Sequence, residues 1–192
     1  MAGRQKIYDE DAALNAAIEV FWSHGYEKAS SRDLQKAMGI GFSSFYLAYK
    51  GGKQELFAKS LQRFFTLYPQ PFLDLLKSVN NPVEAIRQYY YVMTEPNGKF
   101  SEFGCYFSNT IFQADDSEFK EAAAKNLTTI ADAFDDALLR AKNAGIIHPT
   151  IPAELWKTYL LNLWTGLNTT KSIVKDQSVL RATIDFSLKV FE

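Results

Sequence analysis

Apolar residues recur at the spacing of an α-helix along most of this 192-residue chain, and the period-two alternation typical of β-strands is nearly absent. Asp9 precedes the first stripe as a candidate N-cap, and Gly25 is placed to end that helix. Later stripes fill Glu118–Asn143 and Ala153–Thr170. The spacing therefore predicts an all-α fold. The residues of the first stripe are Leu14, Ala17, Ile18, Phe21 and Trp22.

Composition and cysteine content restrict the class of protein further. The chain is 47% apolar with a formal net charge of −1, which is typical of a folded globular protein. Its single cysteine, Cys105, excludes an internal disulfide. No apolar segment is long enough to span a membrane, and residues 1–10 lack the apolar middle of a secretory signal. We therefore expect a cytoplasmic protein with no membrane partner.

Residues that would support catalysis or metal binding are sparse. His24 and His148 are the only histidines and are far apart in the sequence. The chain contains no H-E-x-x-H, C-x-x-C, P-loop or nucleophile-elbow motif. Acidic pairs such as Asp115–Asp116 fall in segments expected to be solvated. We therefore expect no metal, no cofactor and no enzymatic activity.

The stretch MGIGFSSFYLAYKGGK, from Met38 to Lys53, places a glycine turn between two short helical segments. Upstream, Ser30 and Asp33 fit a capping pattern that opens a helix ending near Met38. Gly39 can adopt a left-handed turn, and a second short helix is predicted over Phe42–Tyr49. Three short helices with such a turn are the arrangement of a helix-turn-helix, whose second member enters the DNA major groove.

The same region resembles the DNA-binding domain of the tetracycline-repressor (TetR) family. The similarity lies in ALNAAIEVFWSHGYEKASSRDLQKAMGI (13–40), SSFYLAY (43–49) and KQELF (53–57). It implies an N-terminal three-helix DNA-binding domain over 1–52 and a larger helical ligand-binding and dimerisation domain over 53–192, linked by a long helix from residue 53. The C-terminal part resembles the family more loosely, chiefly through FGCYFSNTIFQ (103–113).

The resemblance assigns Tyr46 to a phosphate or groove contact and Lys53 to a phosphate contact at a helix N-terminus, where the free N–H groups favour an anion. Serines of the recognition helix are candidates to contact base edges, and Phe42 or Leu47 to contact a thymine methyl. The basic N-terminal arm is a candidate groove contact. The full set of expected DNA contacts is Arg4, Lys6, Ser30, Ser31, Arg32, Phe42, Ser43, Ser44, Tyr46, Leu47, Lys50 and Lys53.

Charge is distributed unevenly between the two parts. Residues 1–63 contain nine Lys and Arg against seven Asp and Glu, a net of +2, which leaves −3 for the remainder. Gly41, Phe42 and Leu47 stand where many family members carry hydrogen-bond donors. We therefore predict modest DNA affinity with strong salt dependence, and a partner that is double-stranded DNA with a palindromic operator.

Aromatic residues and one soft thiol in the second part suit a pocket for a small apolar or aromatic effector. The alternative is that this aromatic stripe is simply core. Cys105 likewise has two interpretations, a buried structural thiol or a reactive sensor. The expected ligand-binding residues are Tyr89, Met93, Phe103, Cys105, Tyr106, Asn109, Phe112, Tyr159 and Leu163.

The apolar stripes of Glu118–Asn143 and Ala153–Thr170 are wider than one internal partner requires, and Gly166 permits close helix approach. They predict a two-fold, four-helix homodimer interface. Its expected residues are Phe134, Leu138, Trp156, Leu160, Trp164 and Leu167.

Taken together, these features predict a homodimeric transcription regulator, a repressor that a small molecule releases from its operator. The alternative is a helical small-molecule-binding or electrophile-sensing protein in which DNA recognition is weak or lost. Sequence-specific, salt-sensitive DNA binding separates the two.

Overall fold

The computed structural model describes residues 8–96 and 98–192, and these form eleven α-helices without a β-strand. The first five are α1 (Glu10–Lys28), α2 (Ser31–Met38), α3 (Phe42–Ala48), α4 (Gly52–Leu67) and α5 (Pro69–Leu76). The others are α6 (Pro82–Thr94), α7 (Lys99–Phe103), α8 (Tyr106–Gln113), α9 (Ser117–Asn143), α10 (Ala153–Ile173) and α11 (Gln177–Leu188). A 3₁₀ turn over Lys189–Phe191 follows α11. The all-α prediction is confirmed.

Helices α1–α3 form the expected helix-turn-helix, and its predicted caps are present. Asp9 Oδ1 accepts from the backbone N–H groups of Asp11 and Ala12. Gly25 has φ of +77°, which interrupts the α1 geometry three residues before its last turn ends. Gly39 closes α2 with φ of +66°, so the chain reverses there without the steric penalty a side chain would carry.

Helix α4 connects the N-terminal helices to the rest of the chain. Its inner face packs on α1, and it also contacts α5 and α9. Toward α1, Arg63 donates to Asn15 Oδ1 at 3.1 Å and pairs with Asp11 at 3.3 Å. Pro69 ends α4 and begins α5, as its missing N–H and fixed φ predict.

The C-terminal part is built around α9, which packs against α5, α6, α8 and α10. Helices α7 and α8 lie on either side of Gly104, whose φ is +73°. Glycine accounts for this break because a left-handed residue separates the two short helices. Even the most apolar helices in the described part of the chain fall short of the length and hydropathy that a membrane crossing requires.

A single aromatic core joins the N-terminal helices to the C-terminal part. Trp22 of α1 lies edge-on to Phe64 of α4, with centroids 4.9 Å apart, and to Phe100 of α7 at 5.0 Å. Its indole Nε1 donates to the Gly104 carbonyl oxygen at 3.1 Å. Trp22 therefore links α1 to the α7–α8 segment through ring contacts and a hydrogen bond.

Candidate nucleic-acid interface and sensor core

Helix α3 presents an exposed face in the position of a recognition helix. Phe45 is buried completely and anchors α3 to the core. Phe42 and Leu47 are 68% and 79% exposed, and Tyr46 is 40% exposed. The rings of Phe42 and Tyr46 lie 4.7 Å apart, one helical turn from each other. Ser43 and Ser44 are exposed beside them, so all five expected contacts of α3 share a solvent-facing surface.

The start of α2 is structured by its own cap. Ser30 Oγ accepts from the Asp33 backbone N–H at 3.1 Å and donates to the Asp33 carboxylate at 2.6 Å. Arg32 is exposed and Ser31 is half-buried in the first turn. Because the Ser30 hydroxyl is already used twice, Arg32 is the side chain at this helix start that is free to contact a phosphate.

Lys53 is placed differently from the expectation. Its Nζ donates to the Tyr26 carbonyl at 3.0 Å and lies 4.3 Å from the Tyr26 ring centroid. The ammonium therefore interacts favourably with the carbonyl end of α1, which takes up part of its donor capacity. Lys50 is exposed in the preceding loop. Arg4 and Lys6 lie outside the described residues.

The start of α4 also carries a carboxylate that sequence reasoning missed. Glu55 Oε2 accepts from the Gly51 N–H at 2.9 Å, and Lys59 pairs with the same carboxylate at 2.7 Å. The hydrogen bond from Lys59, followed by that from the Gly51 N–H, holds the pKa of Glu55 below its usual value. In the sequence, the position of Glu55 four residues after Gly51 is the feature that could have indicated this contact.

Several expected ligand-binding residues are core residues instead. Tyr89 is stacked between Phe72, with centroids 3.9 Å apart, and Trp164, at 5.3 Å. Tyr106 is fully enclosed and its hydroxyl bonds to Ser60 Oγ at 2.7 Å. Burial raises the pKa of both tyrosines. Tyr89, Met93 and Tyr106, which were expected to line a pocket, are therefore packed inside the chain, and neighbouring aromatic rings lie against both tyrosines.

The remaining expected ligand residues occupy different places. Tyr159 donates its hydroxyl to the Ser187 carbonyl at 2.7 Å and packs on the C-terminal turn, and Leu163 is half-buried on the same helix. Cys105 is 3% exposed, and the Trp164 indole N–H donates to its sulfur at 3.4 Å. This burial favours the structural interpretation of the thiol.

Two open clefts border α8, on either side of Asn109. One of about 610 Å³ lies between the end of α1 and α7–α8, and its walls include Trp22, Phe103 and Asn109. The other, of about 370 Å³, lies between α8 and α10, and its walls include Cys105, Asn109 and Phe112. The expected ligand residues Phe103, Asn109 and Phe112 therefore line clefts at the surface, not an enclosed pocket.

The structure places the expected dimer-interface residues in the interior of the single chain. Each of the six is at most 6% exposed. They pack inward between α9, α10 and α6, so little of their surface is available to a partner subunit. The residues concerned are Phe134, Leu138, Trp156, Leu160, Trp164 and Leu167.

The outward faces of α10 and α11 carry a different surface. On α10 an exposed stripe without charge runs along one side, and on α11 Val179 and Phe186 are 49% and 75% exposed. We call the two stripes together the α10–α11 face. The interface residues expected from the sequence include none from α11. The α10 stripe consists of Leu155, Thr158, Asn162, Gly166, Thr169 and Ile173.

Lys171 is an ammonium group buried inside the C-terminal part. It is 6% exposed, and its Nζ donates to the Met93 carbonyl at 3.1 Å. Burial lowers the pKa of Lys171 to about 8, and the nearby Cys105 opposes this shift.

Stability should rise with pH above the pKa of Lys171. Between about pH 8 and 10.5 the unfolded chain holds a proton on Lys171 that the folded chain has released, so raising the pH favours folding. We expect the unfolding free energy of the wild type, relative to Lys171→Met, to increase by roughly 1–2 kcal/mol from pH 7.5 to 9.5 in urea titrations. A flat difference across this range would contradict the assignment.

Within the described ranges, no three His, Cys, Asp or Glu side chains converge on one point. Helices α2 and α3, joined through the left-handed Gly39, have the arrangement of a helix-turn-helix, and a larger helical part follows them.

Comparisons with known proteins match the N-terminal helices to a family. Residues 13–59 match the model described as bacterial regulatory proteins, tetR family. The chain is 27% identical over 197 residues to the uncharacterised HTH-type transcriptional regulator YezE of Bacillus subtilis (strain 168), covering 99% of this chain and 100% of that protein. Residues 13–59 therefore carry a DNA-binding domain of the TetR-family type, and the relatives that match the chain are named as transcriptional regulators.

Two further proteins are similar. The HTH-type transcriptional repressor ComR of Escherichia coli (strain K12) is 32% identical over 109 residues, covering 56% of this chain and 51% of ComR. A cysteine mutant of the TetR-family regulator CifR, complexed with 26-bp double-strand operator DNA, superposes with a TM-score of 0.80 at 24% identity, covering 97% of this chain and 98% of CifR. The likeness to CifR establishes the shared fold.

Proposed function

We propose that this regulator is a homodimeric repressor that binds a palindromic operator through α3 and is released by a small molecule. The observation that carries the proposal is the exposed face of α3, where Phe42, Tyr46 and Leu47 face solvent although each is a large apolar or aromatic residue. Such residues on one short helix are unfavourable in water unless a partner covers them. The relative ComR is named a repressor, and CifR binds double-strand operator DNA.

The chemistry of α3 suits a particular kind of base contact. The helix carries no charged side chain between Phe42 and Ala48. Hydroxyls of Ser43 and Ser44 can donate to or accept from base edges, and the exposed rings suit thymine methyl groups. Phosphate contacts then fall to flanking residues such as Arg32 and Lys50. We infer an operator whose half-sites contain A·T pairs at the positions beneath α3.

The dimer in this proposal forms through the α10–α11 face. That face is uncharged along α10 and apolar at Phe186 and Val179 on α11. Gly166 lies in its centre, and a Cβ there would meet nothing within 4 Å, so the surface is open to a second helix. Two copies related by a two-fold axis would form a four-helix interface and set the two α3 helices on successive turns of the major groove. The domain boundary near residue 52 belongs to the same proposal.

Selection of bound sequences from random duplex DNA tests the proposal. We expect an enriched palindrome, with affinity that falls as salt rises. Tyr46→Ala should weaken operator binding by about 1–3 kcal/mol, whereas Tyr46→Phe should retain the ring contact and lose less. Fluorescence anisotropy with the selected duplex and with a scrambled duplex gives both affinities.

Lys53→Met separates the two possible roles of Lys53. If the ammonium only stabilises the end of α1, the substitution should lower thermal stability. The slope of DNA affinity against salt concentration should then be unchanged. A slope reduced by about one unit would identify a phosphate contact. If a folded dimer enriches no sequence, the protein is instead a helical ligand-binding protein without DNA recognition.

A further inference from the structure

The turn between α3 and α4 borders the exposed face of α3, and one carboxylate of α4 bonds to it. We propose that Glu55 is a positioning residue for operator recognition, because it fixes this turn and with it the places of Tyr46 and Lys50. The inference rests on the proposed function, in which Tyr46 and Lys50 meet the operator. Glu55 acts through these two residues and makes no DNA contact of its own.

The turn has one backbone hydrogen bond, and Glu55 adds the contact that ties it to α4. The Gly52 N–H donates to the Tyr49 carbonyl at 2.8 Å, and Gly51, with φ of −79° and ψ of 8°, has the geometry of a type I turn. The Gly51 N–H donates to Glu55 Oε2 at 2.9 Å, and the Lys50 N–H also stabilises this carboxylate. Glu55 therefore holds both central residues of the turn from the first turn of α4.

The turn in turn supports the Tyr46 ring through Gly52. Gly52 is buried with φ of +62°, and a Cβ at this position would lie 3.4 Å from Tyr46 Cε1. One edge of the Tyr46 ring is therefore close to the backbone of the turn. The rings of Phe42 and Phe45, with centroids 4.7 Å and 5.1 Å from that of Tyr46, lie on its other sides. A turn that moves would leave the Tyr46 ring without one of its supports.

The charge of Glu55 is offset locally. A carboxylate near DNA phosphates opposes binding, and hydrogen bonds from Lys59 and then from Gly51 keep the pKa of Glu55 low, so that it stays ionised. The Lys59 Nζ lies 2.7 Å from Glu55 Oε1 and 5.0 Å from the ring centroid of Tyr49. Because Lys59 neutralises the pair, the carboxylate can hold the turn with little loss of DNA affinity.

Glu55→Ala and Glu55→Gln separate the hydrogen bond from the charge. Both variants remove one negative charge, so both should bind a scrambled duplex slightly and equally more tightly than the wild type. Only glutamine keeps an oxygen that can accept from the Gly51 N–H. We expect the ratio of operator affinity to scrambled-duplex affinity to fall by at least about fivefold in Glu55→Ala and by less than about twofold in Glu55→Gln. Fluorescence anisotropy measures both affinities, at a temperature where circular dichroism shows each variant folded.

Lys59→Met is the matched control. It removes the ion pair and leaves the hydrogen bond between Gly51 and Glu55 in place. Affinity for the two duplexes should fall in parallel, because a positive charge is lost, and the ratio should stay at the wild-type value. A ratio that falls as far in Lys59→Met as in Glu55→Ala would assign the effect to the ion pair and overturn the proposal.

Amide hydrogen exchange in the DNA-free protein tests the turn itself. The Gly51 N–H should exchange at least about tenfold faster in Glu55→Ala than in the wild type. The Gly39 N–H, which donates to the Lys36 carbonyl at the end of α2, should exchange at the same rate in both.

The outcomes separate this role from the proposed function. An unchanged Gly51 exchange rate in Glu55→Ala, or an unchanged affinity ratio in a wild type that does prefer an operator, would overturn the role of Glu55 alone. A wild type that prefers no sequence over the scrambled duplex would overturn the proposed DNA recognition, and the role of Glu55 with it.

Discussion

Phe186→Lys should convert the dimer to a monomer and reduce operator affinity by at least about 100-fold, because a two-site contact becomes a one-site contact. Phe186 is 75% exposed on α11, so lysine is tolerated by the isolated chain. In the proposed dimer the same position lies in the α10–α11 face, where a charge would be removed from water without a partner. Light scattering measures the oligomeric state, and anisotropy measures the affinity.

Leu139→Lys is the matched control for this change. Leu139 is a 45% exposed apolar residue on α9, the helix that the sequence pattern placed at the dimer interface. If the α10–α11 face forms the dimer, Leu139→Lys should remain dimeric and bind the operator normally. If Leu139→Lys is monomeric and Phe186→Lys remains dimeric, the interface lies on α9 instead.

Trp22→Ala should lower the free energy of unfolding by about 3–5 kcal/mol, the usual effect of deleting a buried tryptophan. The ring is 4% exposed and contacts aromatic residues of α4, α7 and α8. Because these contacts join the N-terminal helices to the C-terminal part, the loss should also broaden the unfolding transition as the two parts uncouple. Urea unfolding followed by circular dichroism measures both effects.

Trp22→Phe separates the two roles of the indole. Phenylalanine keeps an aromatic ring in the core but cannot donate to the Gly104 carbonyl, so we expect a smaller loss of about 1–3 kcal/mol. If Trp22→Phe is as unstable as Trp22→Ala, the hydrogen bond dominates. If Trp22→Ala is nearly neutral, the two parts of the chain are not held together by this cluster.

Local features of the fold were predictable because they depend on neighbours in the sequence. Asp9 and Ser30 cap their helices as expected, and Gly39 turns the chain with a positive φ. Phe45 and Tyr49, four residues apart at α3 and its C-cap, are buried on the same side. The five expected contacts on α3 are exposed together for the same reason, since helical periodicity assigns residues to faces. Their contact with DNA remains a prediction.

Features that depend on packing between distant segments were not predictable. A helical stripe of aromatic residues is compatible with a ligand pocket and with a core, and only the stacking of Phe72, Tyr89 and Trp164 distinguishes them. Lys53 has the sequence position of a phosphate contact, but its ammonium donates to the Tyr26 carbonyl at the end of α1. No sequence pattern records that proximity.

The sequence by itself therefore determined the helical class, the helix-turn-helix and the side of α3 that faces outward, because these follow from periodicity, caps and glycine conformations within short segments. Only the tertiary structure determines which apolar helix faces are buried inside the chain. Burial of the α9 and α10 stripes leaves the α10–α11 face exposed, and the meeting of α8 with α10 creates the cleft with Ser108 and Asn168. Both outcomes depend on how helices far apart in sequence share their apolar surface, which a one-dimensional pattern does not specify.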